Sequence, residues 1–199
     1  LAIERFRECS RDSVFMAVVN SSTIRLVETL RALPAGELDA LALRLGVTVD
    51  TKKRVDAPVQ VARVIVCLPE VRDLGRLPFS SAQLLHRIAE AGGVLVAAGL
   101  PSALEPLAAR GFVYARGNAE RKIELLLPSC LLVQIPSWEG EDPRGVRALL
   151  AQSSNETLTA IASHYQGRPV VAPVALALEQ AWEVLSDPES LRHEVEGLA

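Results

Sequence analysis

Apolar side chains recur every third or fourth residue along most of this chain, and the pattern breaks at glycines, prolines and short polar runs. That spacing predicts amphipathic helices. The first lies in "SSTIRLVETLRALP", with Ser21 or Ser22 as its cap and Ile24, Val27 and Leu30 on one face. "PAGELDALALRLGV" follows, with Leu38, Leu41 and Leu45 inward and Gly46 as its stop. After the polar loop "TVDTKKRVD", Pro58 fits the first turn of a helix in "APVQVARVIVCL".

The C-terminal part has the same plan. "SSNETLTAIASHYQG" repeats the spacing of Leu38 and Leu41 at Leu158 and Ile161, and Ala-Pro-Val at 57–59 returns at 172–174 in "APVALALEQAWEVLSDPESL". Helix, loop and proline-started helix thus occur twice, an internal repeat. Between them the pattern changes. "FSSAQLLHRIAEAGG" predicts a helix capped by Ser80 or Ser81 and stopped at Gly92–Gly93, followed by the short apolar segment "VLVAAGL". "LPSALEPLAARGF" predicts a further helix, with Leu104 and Leu107 inward and Gly111 as its stop. Two strand-like runs, "FVYA" and "KIELLLP", then flank a turn at Arg116–Asn118. Helix, short apolar segment, helix and hairpin is the order of a winged helix-turn-helix. "CLLVQIP" reads as one more strand of the small sheet, and "SWEGEDPRG" as an acidic, solvated linker. The expected fold is therefore mostly α with a small β-hairpin sheet, a central winged helix flanked by two similar helical repeats. Its units fall at 1–75, 76–138 and 139–199.

Composition narrows this picture. With 199 residues and 49% hydrophobic content, the chain has enough core for a folded protein without staples, and at 4% aromatic that core is aliphatic. The formal charge of −3 hides an asymmetry: the three units carry net +1, +2 and −6. A polyanion would meet the middle unit, and the acidic last unit would repel it. No apolar run is long enough to span a bilayer and no signal-peptide pattern is present, so membrane association is not expected and a cytoplasmic location is. Cys9, Cys67 and Cys130 lack metal or redox spacing and read as buried reduced thiols. The chain begins with Leu1, which fits a piece of something longer.

Catalytic chemistry is not legible. His86, His164 and His193 stand apart from one another and from any ligand-spaced partner, His86 reading as a helix-surface or boundary residue and His164 as one at a packing boundary. There is no nucleophile elbow and no phosphate-binding G-x-x-x-x-G-K-[ST] loop. No enzyme, cofactor, metal or small-molecule ligand is expected. A pocket between the two repeats remains the one small-molecule alternative, without an identifiable convergent polar group.

Two basic groups bear on nucleic acid. Lys52, Lys53 and Arg54 form the one triple run. Arg110, Arg116, Asn118, Arg121 and Lys122 gather around the hairpin, where residues 110–122 sum to +3. Cations there would neutralise phosphates, and Asn118 would reach a groove edge. The helix ahead of the hairpin offers Ser102, Glu105 and Arg110 outward, a poor set for reading bases.

The order "LPAGELDALALRLGV", "LLHRIAEAGGVLVAAGLPSALEPLAARGFV" and a basic hairpin ending in "LLLP" resembles the N-terminal accessory region of bacterial XPB-type helicases. The helical repeats are more loosely similar to SAP-type modules. The resemblance implies a winged-helix accessory part of a DNA-handling system. Two functions follow as expectations: weak, sequence-nonspecific DNA binding through the hairpin, or a protein-interaction or dimerisation scaffold that docks through the winged helix.

Overall fold

A computed structural model describes residues 23–49, 56–119, 122–171 and 173–197. Ten α-helices, three short 3-10 turns and a three-stranded antiparallel sheet make up the described residues. Helix α1 spans Leu26–Arg31, α2 Ala35–Arg44 and α3 Ala57–Ile65. Turns at Pro69–Val71 and Leu74–Arg76 lead into α4, Phe79–Glu90. Strand β1 is Val94–Ala97. A turn at Ser102–Leu104 runs into α5, Glu105–Ala109, and the hairpin of β2, Tyr114–Gly117, and β3, Ile123–Leu126, follows. Then come α6 (Ser129–Leu132), α7 (Val146–Gln152), α8 (Asn155–Gln166), α9 (Val174–Leu185) and α10 (Pro188–Glu196).

Strand β3 lies in the middle, in the order β1-β3-β2, with Val94 and Tyr114 both opposite Leu126. The hairpin therefore joins the sheet through its second strand and leaves β1 and β2 as edges. Two glycines make this packing possible. Gly93 ends α4 at φ +95, returns its N–H to Ile88 O, and accepts Leu127 N–H at 2.8 Å, fastening the helix end to the sheet. Gly111 ends α5 at φ +72, where a Cβ would come 2.7 Å from Ile65 Cδ1. Only glycine combines that backbone with that approach to α3.

Two apolar clusters share α9. The larger takes Leu26 and Leu30 of α1, Ile65 of α3, Leu85 and Ile88 of α4, Leu107 of α5, Phe112, Leu125 and α6, and it reaches Ala175. The smaller gathers Val133, Leu150, Ala162, Leu178 and Ala181. The two stretches expected to repeat pack differently: α8 lies along α9, whereas the main neighbour of α3 is α1.

Several expectations need correcting. "CLLVQIP" is not a strand; Pro128 starts α6, and Leu131 and Leu132 return their N–H groups to Pro128 O. A short run that is apolar on every side does not reveal its period, and here Pro128 decides. Helix α4 is capped by Pro78 and by neither serine; Ser81 is fully buried and donates to Ala103 O at 2.9 Å. Helix α1 begins at Leu26 behind Arg25, and Ser21 and Ser22 lie outside the described residues. Cys67 is exposed, Cys130 is buried, and Cys9 lies outside the described residues.

Candidate interaction surface

The cations expected around the hairpin do not stand free. Arg116 lies directly across from Glu124 in the β2–β3 register, and its Nε donates to the Glu124 carboxylate at 2.7 Å. Arg110, at the end of α5, donates from Nε to Glu70 at 3.3 Å and from Nη1 to Pro106 O at 3.0 Å. Asn118 is committed to the loop itself. Its N–H donates to Lys122 O and its Oδ1 accepts Lys122 N–H, both at 2.9 Å. Arg121 lies outside the described residues, as do Lys52, Lys53 and Arg54. The single helix expected in "LPSALEPLAARGF" is a 3-10 turn, Ser102–Leu104, running into the five-residue α5. Its faces are as expected: Leu104 and Leu107 are buried, and Ser102 and Glu105 are exposed.

The register brings together a different set. Val94, Leu126 and Tyr114 share one sheet face, and Val96, Glu124 and Arg116 continue it. On the opposite face Leu95, Leu125 and Ile123 pack into the larger cluster. At the β2 edge Tyr114 folds inward, its hydroxyl buried and its ionisation pushed up by desolvation. At the β1 edge the valines stay out, Val96 half-exposed at 51% and Val94 at 37%. From Ala91 to Pro101 the chain carries no charged side chain. Strand β1 thus presents an apolar, uncharged edge whose outward backbone groups have no strand partner among the described residues. Exposed edges of soluble proteins are usually blunted by charge, proline or a bulge.

Two buried polar nodes carried no legible signal in the sequence. In the first, buried Glu179 of α9 accepts Leu26 N–H at 2.8 Å, with Cys130 of α6 close beside its carboxylate. The carboxylate thereby serves the first turn of α1, a favourable place for negative charge. Arg25 adds an ion pair with Glu183, one turn further along α9, at 2.5 Å. Desolvation still dominates and holds Glu179 above the usual carboxylate range, while burial and that carboxylate push the Cys130 thiol well up. In the second, buried Arg147 of α7 forks onto both oxygens of Glu141, donates to Leu132 O and Ile135 O, and lies over the Trp138 ring at 4.5 Å. Glu141 is therefore no solvated linker residue; its side chain is 9% exposed. His86 sits against the same tryptophan, with a centroid distance of 5.9 Å, and its Nε2 is buried without a hydrogen-bond partner. Burial, with a smaller push from Arg147, lowers its pKa. His164, expected at a packing boundary, is exposed at 61% and bonds Glu194 at 2.9 Å.

Among the described residues no group of three His, Cys, Asp or Glu side chains is placed to hold a metal, and no helix is long and apolar enough to cross a membrane. The chain matches no protein-family profile, no curated protein and no solved structure.

Proposed function

We propose that residues 79–127 form a winged helix that works as a non-enzymatic protein-docking module, and that its partner is a second copy of this chain. The order helix, strand, helix, hairpin and the central position of β3 support the winged-helix reading. The observation that carries the docking reading is the uncharged β1 edge with Val94 and Val96 exposed beside it. Antiparallel pairing of two β1 edges across a two-fold axis would satisfy the outward backbone groups and bury four valines. Light scattering over a concentration series tests this. The parent is expected to dimerise, and Val96→Lys, which places like charges near the axis, should return it to monomer. A parent that stays monomeric throughout, or a variant that dimerises as the parent does, overturns the proposal.

The second reading is weak, sequence-nonspecific DNA binding through the hairpin, the function implied by the likeness to helicase accessory regions. One observation favours it: the Arg116–Glu124 pair is half-open to water, so a phosphate can compete for Arg116 at a cost of no more than about 1 kcal/mol. It ranks second because Arg110 and Arg116 both already face carboxylates. Binding to duplex and forked DNA across salt, with Arg116, Arg121 and Lys122 replaced together by Ala, separates the two readings. Salt-sensitive binding that the triple variant loses supports this reading, and no binding at low salt removes it.

A further inference from the structure

The second helix of each helix–loop–helix unit meets at an open cleft of about 350 Å³. One wall is α3, which presents Val59 and Arg63 four residues apart on a single face. The other is the connection from α8 to α9. Gln166 ends α8, and Gly167 turns at φ +63, which brings Arg168 and Val170 back across the opening. Leu176, in the first turn of α9, closes the floor. Residues more than a hundred positions apart thus build one concave surface.

Its chemistry is lopsided. The floor is aliphatic and no carboxylate lines it, yet it holds two arginines and an amide. Six other arginines are held by carboxylates: Arg25 by Glu183, Arg31 by Asp56, Arg76 by Asp73, Arg110 by Glu70, Arg116 by Glu124 and Arg147 by Glu141. Among the described residues Arg44, Arg72, Arg87, Arg144 and Arg192 stand singly outside the cleft. What marks the cleft is two open guanidinium groups on one concave surface. Arg63 and Arg168 have no ion-pair or hydrogen-bond partner among the described residues. The start of α9 adds to the positive field, because it has neither a side-chain cap nor an acidic residue in its first turn. Two guanidinium forks beside an apolar floor match a tetrahedral or planar oxyanion borne on a hydrocarbon body. The volume lies at the low end of the range, about 300–1,000 Å³, in which small ligands are held.

We infer that this cleft is a ligand site for a small amphiphilic anion, a carboxylate or phosphate carrying a short aliphatic chain, separate from the β1 edge. Arg63 and Arg168 hold the head and Gln166 donates to it, while Val59, Val170 and Leu176 take the chain. Isothermal titration of the full chain with four probes tests it: octanoate, octyl phosphate, 1-octanol and inorganic phosphate. The site requires saturable binding of at least one tailed anion, and whichever of the two binds more tightly identifies the head group. Octanol and inorganic phosphate should bind at least about tenfold more weakly, since each lacks one half of the recognition. Arg63→Gln with Arg168→Gln should weaken the tailed anion by about tenfold or more, whereas Arg72→Gln, at an exposed arginine outside the cleft, should not. Both changes are at exposed positions, so folding is not at stake. No saturable binding of either tailed anion, octanol binding as tightly as octanoate, or a double variant that binds like the parent overturns the assignment.

Discussion

At the scale of single residues, the chain's most consequential charges are hidden ones. Glu179→Ala would leave the Leu26 N–H group buried without an acceptor, at about 1–3 kcal/mol. Glu179→Gln keeps one acceptor and should cost less by urea unfolding. The pH dependence separates them further. Burial holds the folded-state pKa of Glu179 above the usual carboxylate range, so its contribution to stability is largest in acid and is lost as pH rises through the folded value. The glutamine variant should lack that loss. His86 works in the opposite sense. Its folded pKa is lowered from 6.5, so the unfolded chain binds the proton first and stability falls as pH drops below about 6.5. His86→Phe should lose less stability than the parent between about pH 7 and pH 5, again read from urea midpoints. Arg147→Ala, by removing one partner of a buried pair, should cost about 3–5 kcal/mol. Arg147→Lys should rescue little of that, because an ammonium cannot fork onto Glu141 while also serving two carbonyls.

At the scale of elements, helices with a clear apolar face and a glycine stop were legible in advance. Leu84, Leu85 and Ile88 marked α4, and Gly92–Gly93 marked its end. The hairpin was legible from its two strand-like runs, but its turn was expected too early. Arg116 and Gly117 belong to β2, paired with Glu124 and Ile123, and the closing bonds join Asn118 to Lys122. Helix α6 was not legible, since Ser129, Cys130, Leu131 and Leu132 are all buried and four such residues have no period to read. The start of α1 was equally hidden, because its acceptor comes from α9 rather than from a neighbouring serine or threonine. The candidate surface followed the same divide. The hairpin's cations could be counted, but that Arg116 faces Glu124 is a fact of register, and register needs the folded sheet. One substitution tests the element junction most directly. Gly111→Ala meets both a left-handed φ and Ile65, and should cost well over about 1 kcal/mol in urea unfolding; Gly36→Ala, which has open space, should not.

At the scale of the whole molecule, α9 is the element on which the rest converges. It contributes to both apolar clusters, packs along α6 and α8, and carries the carboxylates that hold α1. A single urea transition, with tryptophan fluorescence and far-ultraviolet dichroism coinciding, is therefore expected; two resolved transitions would contradict it. The Glu179 bond also spans 153 positions along the chain. During synthesis α1 leaves the ribosome long before the carboxylate that caps it exists, so α1 must wait, partly formed, for the acidic unit to arrive. An order of assembly is thus built in: the C-terminal unit closes the molecule, and the N-terminal helix is finished last. Pulse-labelled refolding should find the Leu26 amide protected no earlier than the amides of α9.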